Sequence, residues 1–384
     1  MPGDKKPSAS SRPNRYTLET VSRACALLRE LNDGRQGLTL SEIVERTGIE
    51  RTICFRLLRT LEDERFLRKT ELRKYSSNVH ILSGKRFRIG YASEGSDSFS
   101  SAVSQGLRWA ATELHVDLIE LDNQYSAKAA LRNAEILVKQ RVDLAIEFQV
   151  YERIGAKLSG LFRDAGIPVI ALEIPHPGAT FFGVDNHKVG LIAGKALVRA
   201  AQKEWHGECD ELILLDLEIA GALPQLRLLG AQSELRKGII GNYVTTHLES
   251  RGDFVRAFEL TRKYLQFAPK RRTLLTGVND FAVLGALRAF EETGRRNLCV
   301  AVGLAATPEA RRELRLPNTR LAGSVGFFPE RYGKTVLALA LDILHQKTVP
   351  SAIYAPVQLI TPQNVEQFYP KDIFGHPDMD PVGR

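Results

Sequence analysis

The chain has 384 residues and a formal charge of +8, and its hydrophobic and charged fractions, 43% and 26%, are ordinary for a soluble globular protein of two or three domains. No segment reaches the ~18 apolar residues that a membrane span needs, so no membrane partner is predicted. The four cysteines stand alone in the sequence, which argues against a zinc site or a disulfide framework.

The excess positive charge lies in the first quarter of the chain. Residues 1–88 carry 19 Lys and Arg against 11 Asp and Glu, whereas the remaining residues carry 34 of each kind. A basic module attached to a neutral one is typical of nucleic-acid-binding proteins. A basic solubilising tail is the alternative interpretation, although most of these charges lie inside patterned helices.

Residues 1–15 form a polar segment rich in Ser and Pro, which predicts a disordered tail and not a signal peptide. Residues 16–77 follow as the first folded domain. Its first helix has an apolar stripe from Val21 to Leu31, and the short run from Leu38 to Leu40 suggests a small strand.

The second and third helices of this domain are predicted to meet at a glycine turn. Thr39 and Glu42 indicate a capping box that opens a helix ending at about Thr47. Gly48 makes the turn, and a third helix follows to about Glu64, with an apolar stripe of Cys54, Leu57, Leu58 and Leu61. Residues 66–76 then alternate like a basic hairpin. This order of elements predicts a winged helix-turn-helix.

The other face of the third helix has the chemistry of a DNA-reading surface. We expect Arg51 and Thr52 to reach phosphates or base edges, helped by free backbone N–H groups at the helix start. Arg56 is suited to guanine and Phe55 to a thymine methyl group. Further phosphate contacts are expected from Arg59, Arg73 and Lys74. The alternative is a solvated basic face with Phe55 packed against a neighbouring helix.

Four short motifs follow one another in this region with regular spacing. They are Leu38-Thr39-Leu40-Ser41-Glu42-Ile43, Arg46-Thr47-Gly48-Ile49, Arg51-Thr52 and Arg56-Leu57-Leu58-x-Thr60-Leu61-Glu62. Residues 16–76 thereby resemble the DNA-binding domain of the IclR family of bacterial transcription regulators. Two features depart from that family: Phe55 stands where a polar residue is common, and the wing tip around Glu71 lacks the usual glycines.

Residues 78–85 form a short linker, and alternating strand-like and helix-like runs follow from residue 86 to 370. The alternation predicts an α/β domain with doubly wound parallel sheets covered by helices on both faces. Its length favours two lobes. We expect lobe 1 at about 86–184 plus 328–353 and lobe 2 at about 185–327 plus 354–370, with a tail at 371–384.

No glycine-rich nucleotide loop, Ser-His-Asp grouping or metal-ligand spacing occurs in this region. The sequence therefore predicts neither an enzyme nor a bound cofactor or metal. In sheets of this kind, ligands bind at the carboxyl ends of the strands or between lobes. A ligand-binding domain fits better.

The motifs of residues 86–369 resemble the periplasmic sugar-binding-protein fold as used in LacI-type regulators. They are Asp97-Ser98-Phe99, the run from Ala165 to Leu172, Val184-Asp185-Asn186-x-x-Val189-Gly190, Arg227 three before Gly230, Asn279-Asp280-x-Ala282-x-Leu284-Gly285 and Pro329-x-x-Tyr332-Gly333. The resemblance implies an effector site that includes Asp97, Phe99, Glu173, Arg227 and Asn279. We also predict that Phe327 contacts the effector, although it departs from the family, where this residue is often polar.

Two positions of this site depart from the family. Ala305 replaces a usual aspartate, and the loop after Glu147 lacks another. Fewer carboxylates suggest an effector with fewer hydroxyls than a free sugar, or one with a negative group met by Arg227. The alternatives are that Asp185-Asn186 and Asp280 only cap helices, that Phe327 is a core aromatic, and that Arg227 forms a surface salt bridge.

Together these observations predict a cytoplasmic transcription regulator, a homodimer on a near-palindromic operator, whose DNA affinity is set by a small-molecule effector. The hinge-helix motif of LacI-type proteins is missing between the two parts. The alternatives are a regulator whose degenerate sensor serves only dimerisation, a solute-binding protein of a transport system, and an α/β enzyme fused to a DNA-binding head.

Overall fold

The computed structural model describes residues 18–33, 37–64, 66–69, 74–77 and 86–370. The chain divides into two compact units, Met1–Arg86 and Phe87–Arg384. Several predictions lie outside the described residues: the two tails, the linker at 78–85, Arg73 and the wing tip around Glu71.

The described residues of the first unit form three helices and a two-stranded hairpin. They are α1 (Glu19–Asp33), α2 (Leu40–Thr47), α3 (Arg51–Asp63), β1 (Leu67–Lys69) and β2 (Tyr75–Ser77). The hairpin is antiparallel, with Leu67 opposite Ser77. The predicted strand from Leu38 to Leu40 was wrong: Leu38 makes a single bridge to Tyr75, and Leu40 already begins α2.

The local signals at the turn between α2 and α3 are confirmed. The Thr39 amide donates to the Glu42 carboxylate at 2.7 Å, and the Glu42 amide donates to the Thr39 hydroxyl at 3.4 Å, which completes the capping box. Gly48 ends α2 with a left-handed φ of 66°, a conformation that glycine adopts without strain. Cys54 and Leu58 are fully buried and anchor α3 in the core of this unit.

Residues 87–370 of the second unit form two six-stranded sheets. The first has the order β13-β7-β6-β5-β3-β4 and the second the order β14-β12-β11-β10-β8-β9. The strands are β3 (Arg88–Ser93), β4 (Asp117–Asp122), β5 (Leu144–Phe148), β6 (Val169–Leu172), β7 (Thr180–Gly183), β8 (Glu211–Asp216), β9 (Val244–Glu249), β10 (Thr273–Gly277), β11 (Cys299–Ala305), β12 (Leu321–Gly326), β13 (Ala352–Tyr354) and β14 (Gln358–Ile360).

The helices of this unit cover the sheets. They are α4 (Ser98–Glu113), α5 (Ala127–Lys139), α6 (Glu152–Asp164), α7 (Asn186–Trp205), α8 (Ala222–Gly238), α9 (Phe254–Phe267), α10 (Asp280–Glu292), α11 (Pro308–Leu314), α12 (Tyr332–Leu344) and α13 (Val365–Phe368). Every residue of β5, β8, β10 and β11 is buried. Strands buried on both faces are what parallel sheets between helical layers require.

The predicted doubly wound α/β architecture is thus confirmed, with one exception in strand direction. Among the described strands of this unit, all neighbours are parallel except β12 and β14, which pair antiparallel with Ser324 opposite Ile360. The sequence pattern did not reveal α11, β13, β14 or α13, because elements of three to seven residues are too short to show a period. No helix among the described residues is long and apolar enough to cross a membrane.

Candidate functional site

The exposed face of α3 carries the residues that the sequence singled out. Arg51, Thr52, Phe55, Arg56 and Arg59 are all exposed. Phe55 is 48% exposed, so about half of its surface is open to a partner outside the chain. The helix therefore presents one apolar ring among basic side chains.

The start of α3 differs from the prediction of free backbone N–H groups. The Glu50 carboxylate caps the helix and accepts hydrogen bonds from the Thr52 amide at 2.9 Å and the Ile53 amide at 3.2 Å. These bonds favour the charged carboxylate and lower the pKa of Glu50. The expectation of free amides was wrong because Glu is an uncommon cap and its reach back onto the helix was not anticipated.

The basic side chains of α3 differ in how far they are already engaged. Arg51 donates to the Ser41 hydroxyl at 3.3 Å, and Arg59 lies 3.6 Å from Glu62 and 3.7 Å from Asp63. The Arg56 guanidinium has no side-chain partner among the described residues. Hydrogen bonds from Thr39 lower the pKa of Glu42, and the charge of Lys74, the residue before β2, adds to this shift. Arg56 is thus the least engaged candidate for base contact.

In the second unit, a buried ion pair joins residues that follow strands of the two sheets. The Arg227 guanidinium lies on α8 and donates to Glu173 at 3.1 Å, to the Asn186 side-chain oxygen at 2.6 Å and to the Val278 carbonyl at 2.7 Å. Glu173, which follows β6, is 6% exposed and Arg227 is 8% exposed. The interpretation of Arg227 as part of a surface salt bridge was therefore wrong.

The Glu173 carboxylate is held from two sides. Its other oxygen accepts a hydrogen bond from the Tyr332 hydroxyl at 2.7 Å, and its backbone adopts a left-handed φ of 61°. Burial raises the pKa of Glu173, although Arg227 and Tyr332 oppose this shift by favouring the charged form. The charge of Arg227 is therefore matched within the protein, which weakens the expectation of an anionic effector.

Aromatic rings surround this pair. The Phe99 ring lies 6.1 Å from Phe148, 6.3 Å from Phe327 and 6.2 Å from Tyr332, each edge to face. The guanidinium of Arg227 stands over the Phe327 ring at 5.1 Å. Phe99 is half-buried, whereas Phe327 is buried in the core shared by the two sheets. Phe327 is thus both a core aromatic and a support for Arg227.

Asp97 and Asn279 are engaged at helix starts. Asp97 caps α4 by accepting from the Phe99 and Ser100 amides at 2.8 and 2.9 Å, and it also accepts from the Tyr125 hydroxyl at 2.7 Å. Asn279 caps α10 through the Ala282 amide and donates to the Gly252 carbonyl at 2.9 Å. Both side chains shape the site, and their contact with an effector stays a prediction.

Of the three residues with an alternative interpretation as helix caps, only Asp185 caps a helix. Asp185 caps α7 by accepting from the Lys188 amide at 3.0 Å, whereas Asn186 binds Arg227. Asp280 does not cap α10. It accepts from the Thr307 amide at 2.8 Å and the Ser324 hydroxyl at 2.7 Å, and burial raises its pKa to about 6.

Asp280 stabilises a strained loop at the position of the missing aspartate. Ala305 and Ala306 have φ angles of 114° and 51°, which alanine rarely adopts. The Ala306 amide donates to the Ser324 hydroxyl at 2.9 Å, and this hydroxyl in turn binds Asp280. Such strain persists only where the surroundings determine the backbone, and it is commonest at binding sites.

Two carboxylates, those of Glu309 and Glu152, lie where segments far apart in the chain come close together. Ser98, at the start of α4, donates to Glu309 of α11 at 2.7 Å. At the second of these places, a Cβ atom at Gly221 would lie 2.3 Å from both carboxylate oxygens of Glu152, the first residue of α6. Gly221 also has a φ of 80°, so glycine is needed there for two reasons.

This geometry agrees with the comparisons with known proteins. The model of the periplasmic binding protein domain matches residues 90–348, and the model of the IclR helix-turn-helix domain matches residues 20–71. The chain belongs to the periplasmic binding protein family. No curated protein gives a match.

Solved structures of this family superpose on the second unit. A solute-binding protein of an ABC transporter from Bacillus halodurans, with bound myo-inositol, is 22% identical with a TM-score of 0.63 and covers 74% of this chain and 99% of its own. The glucose-galactose binding protein GanP from Geobacillus stearothermophilus is 23% identical with a TM-score of 0.62 and covers 73% and 99%. An Agrobacterium vitis protein with bound allitol is 21% identical with a TM-score of 0.65 and covers 75% and 100%. At these identities the likeness establishes the fold.

The chain therefore joins an IclR helix-turn-helix, a DNA-binding type of domain, to a periplasmic binding protein domain, a type that binds small molecules. Sequence reasoning missed several residues of its cleft: Glu94, Ser98, Tyr125, Glu152 and Glu309. Glu94 directly follows β3, so its position at the carboxyl end of a strand could have marked it as a candidate site residue. The others act through contacts between segments far apart in the chain. Among the described residues, no group of three or more His, Cys, Asp or Glu could hold a metal ion.

Proposed function

We propose that this protein is a transcription regulator whose affinity for operator DNA is set by a small molecule bound between the two lobes of its second unit. The observation that carries the proposal is the buried Arg227–Glu173 pair, which links the carboxyl end of β6 to α8 at 3.1 Å amid aromatic rings. In open α/β sheets, this is the place where ligands bind. The exposed basic face of α3 on the same chain supplies the output.

The effector of this proposal is a small, sugar-like molecule with an apolar face. Phe99 and its neighbouring rings offer stacking surface, and the network around Glu173 offers hydrogen-bond partners to hydroxyl groups. Proteins with the same fold were solved with myo-inositol and allitol, which are polyols. An anionic effector is less favoured, because Arg227 already has a carboxylate partner. The domain binds its effector without transforming it.

Operator binding is proposed to require a cytoplasmic homodimer on a near-palindromic site, because a single α3 covers too few base pairs for specificity. Footprinting of the full chain on the DNA that flanks its own gene tests this part. We expect one protected region with two half-sites. No protection anywhere in that DNA would count against autoregulation by this protein.

A sensor that serves only dimerisation is the second candidate. The direct bond between Ser98 and Glu309 favours it, because such a contact can hold the lobes together without an effector. Thermal unfolding with a panel of sugars and polyols separates the two. A raised melting temperature with any member supports effector binding, and a flat response across the whole panel supports the dimerisation role.

A further inference from the structure

The strand β9 forms one outer edge of the second sheet, where it pairs with β8 alone. The Val244 amide points inward and donates to the Asp210 carbonyl at 3.1 Å. Because the backbone groups of successive strand residues point to opposite sides, the amides and carbonyls of Thr245 and His247 point outward. These groups have no hydrogen-bond partner among the described residues. The edge therefore offers two donors and two acceptors to another strand.

Exposed apolar side chains are concentrated around this edge. In the described part of the second unit, nine large hydrophobic residues are exposed, and six of them lie on α8, β9, α9 or the loop between α8 and β9: Leu229, Ile240, Val244, Phe254, Val255 and Phe267. The helix α9 lies against the strand, because the Tyr264 hydroxyl is 3.3 Å from that of Thr246. A concentration of exposed apolar surface is typical of an interaction site.

The other long outer strand, β4 of the first sheet, differs from β9 in charge. It carries the carboxylates of Asp117, Glu120 and Asp122, so pairing two copies of β4 would bring three carboxylates of each copy together. Charged side chains are a common means of keeping an edge strand from pairing with another chain. In β9 the only carboxylate is that of Glu249, its last residue. The outer strands β13 and β14 have three residues each, so β9 is the edge best suited to pairing.

We propose that β9 is the dimer interface of this protein, where it pairs antiparallel with β9 of a second copy across a two-fold axis. This inference rests on the proposed function, which requires a homodimer. Two-fold symmetry demands antiparallel strands, because each copy presents the same residues to the other. The register that pairs Thr245 with His247 of the second copy satisfies all four outward groups on each copy, and it places Thr246 opposite Thr246.

The side chains that meet in this register are compatible. Val244 lies opposite Leu248 of the second copy and forms an apolar pair with it, and two Thr246 side chains meet at the axis. Thr245 and His247 face each other on the other side of the sheet. No like charges stand opposite one another, which would oppose pairing. Val244 is 45% exposed in a single copy, so the pair gives its exposed surface an apolar neighbour.

Sedimentation equilibrium of the full chain tests the interface. Thr245→Pro removes one outward amide and leaves the bonds to β8 in place. Because the symmetry repeats this loss, the dimer dissociation constant should rise about tenfold or more. Glu120→Pro is the matched control: the Asp117 amide donates inward to the Phe87 carbonyl at 2.9 Å, so the Glu120 amide points outward from the other edge. Its dissociation constant should stay within about twofold of that of the unaltered chain. Circular dichroism of both variants verifies folding.

A disulfide test fixes the register and is independent of the proline variant. Directly opposite residues that do not exchange ladder bonds have Cα atoms about 4.5 Å apart, which a disulfide can span. Thr246→Cys should therefore form a disulfide between two copies under mild oxidation. Thr245→Cys is the control, because its two Cα atoms would lie roughly 8 Å apart, too far for a disulfide. The unaltered chain, whose cysteines are buried or half-buried, should form none.

The outcomes separate this inference from the homodimer itself. A dimer that Thr245→Pro does not weaken, or that forms no disulfide with Thr246→Cys, overturns the assignment of β9 and leaves the homodimer intact. A disulfide with Thr245→Cys in place of Thr246→Cys overturns the proposed pairing. A chain that stays monomeric at every concentration overturns the homodimer of the proposed function and, with it, this inference.

Discussion

The arginines on the exposed face of α3 and in the cleft of the second unit differ in whether their charge is paired. On α3, Arg56 is exposed and has no side-chain partner among the described residues, so its donors are available to an external acceptor. In the cleft, three nitrogen atoms of Arg227 donate hydrogen bonds, to Asn186, Val278 and Glu173. A surface that must meet a polyanion keeps its charge unmatched, whereas a buried charge must be matched internally before the fold can tolerate it.

The sharpest test of this contrast removes the buried charge. Arg227→Met should lower the free energy of unfolding by about 3–5 kcal/mol, because Glu173 is then left buried without its cation. Urea denaturation measures the effect. Adding Glu173→Gln to this variant should recover part of the loss, since the uncompensated carboxylate is gone. Additive losses in the double variant would show that the two side chains are not coupled.

The buried His176 side chain should make the free energy of unfolding depend on pH. Burial lowers the pKa of His176 to about 4, against 6.5 for an exposed histidine, so the unfolded chain binds more protons between these values. Stability should therefore rise with pH through this window, by up to about 3 kcal/mol from His176 alone. The difference in unfolding free energy between the unaltered chain and His176→Gln should shrink as the pH falls from 6.5 to 4. A pH-independent difference would contradict this account.

In contrast to Arg227, the exposed Arg56 should matter for DNA binding and not for stability. Arg56→Ala should leave the unfolding free energy unchanged within ~0.5 kcal/mol. It should also relax specificity at one operator position by about 1–3 kcal/mol, because one bidentate base contact is lost. Lys74→Ala should instead weaken binding to all sequences alike. Competition gel shifts measure both variants, and equal effects would mean that α3 is not the reading element.

The smallest expected effect concerns the edge of the cleft. Ser98→Ala removes the hydrogen bond to Glu309 and should lower the free energy of unfolding by about 1 kcal/mol. If the bond helps to hold the lobes together, small-angle scattering should show a slightly larger radius of gyration for the variant. Ser101→Ala, one turn away on an exposed position of α4, is the control. Identical behaviour of the two variants would exclude a role for the Ser98–Glu309 bond in closure.

Much of the fold was readable from the sequence because its signals are local. The buried face of α3 was predicted correctly, since Cys54 and Leu58 recur at helical spacing and both are buried. The capping box at Thr39 and the left-handed Gly48 were equally local. The effector-site residues were suggested by resemblance, yet their partners were not: Tyr332 binds Glu173 across 159 positions of the chain, and no periodicity reports such a contact.

By itself, the sequence determined the order of helices and strands, the concentration of positive charge in the first quarter, and the two kinds of domain. These properties depend on residue spacing and composition, which are visible without coordinates. Only the tertiary structure decided that Arg227 is paired with Glu173, that Glu50 accepts from two amides at the start of α3, and that Tyr332 also binds Glu173. Whether a charge is matched depends on which distant side chains the fold brings within hydrogen-bond distance, and that distance is a property of packing.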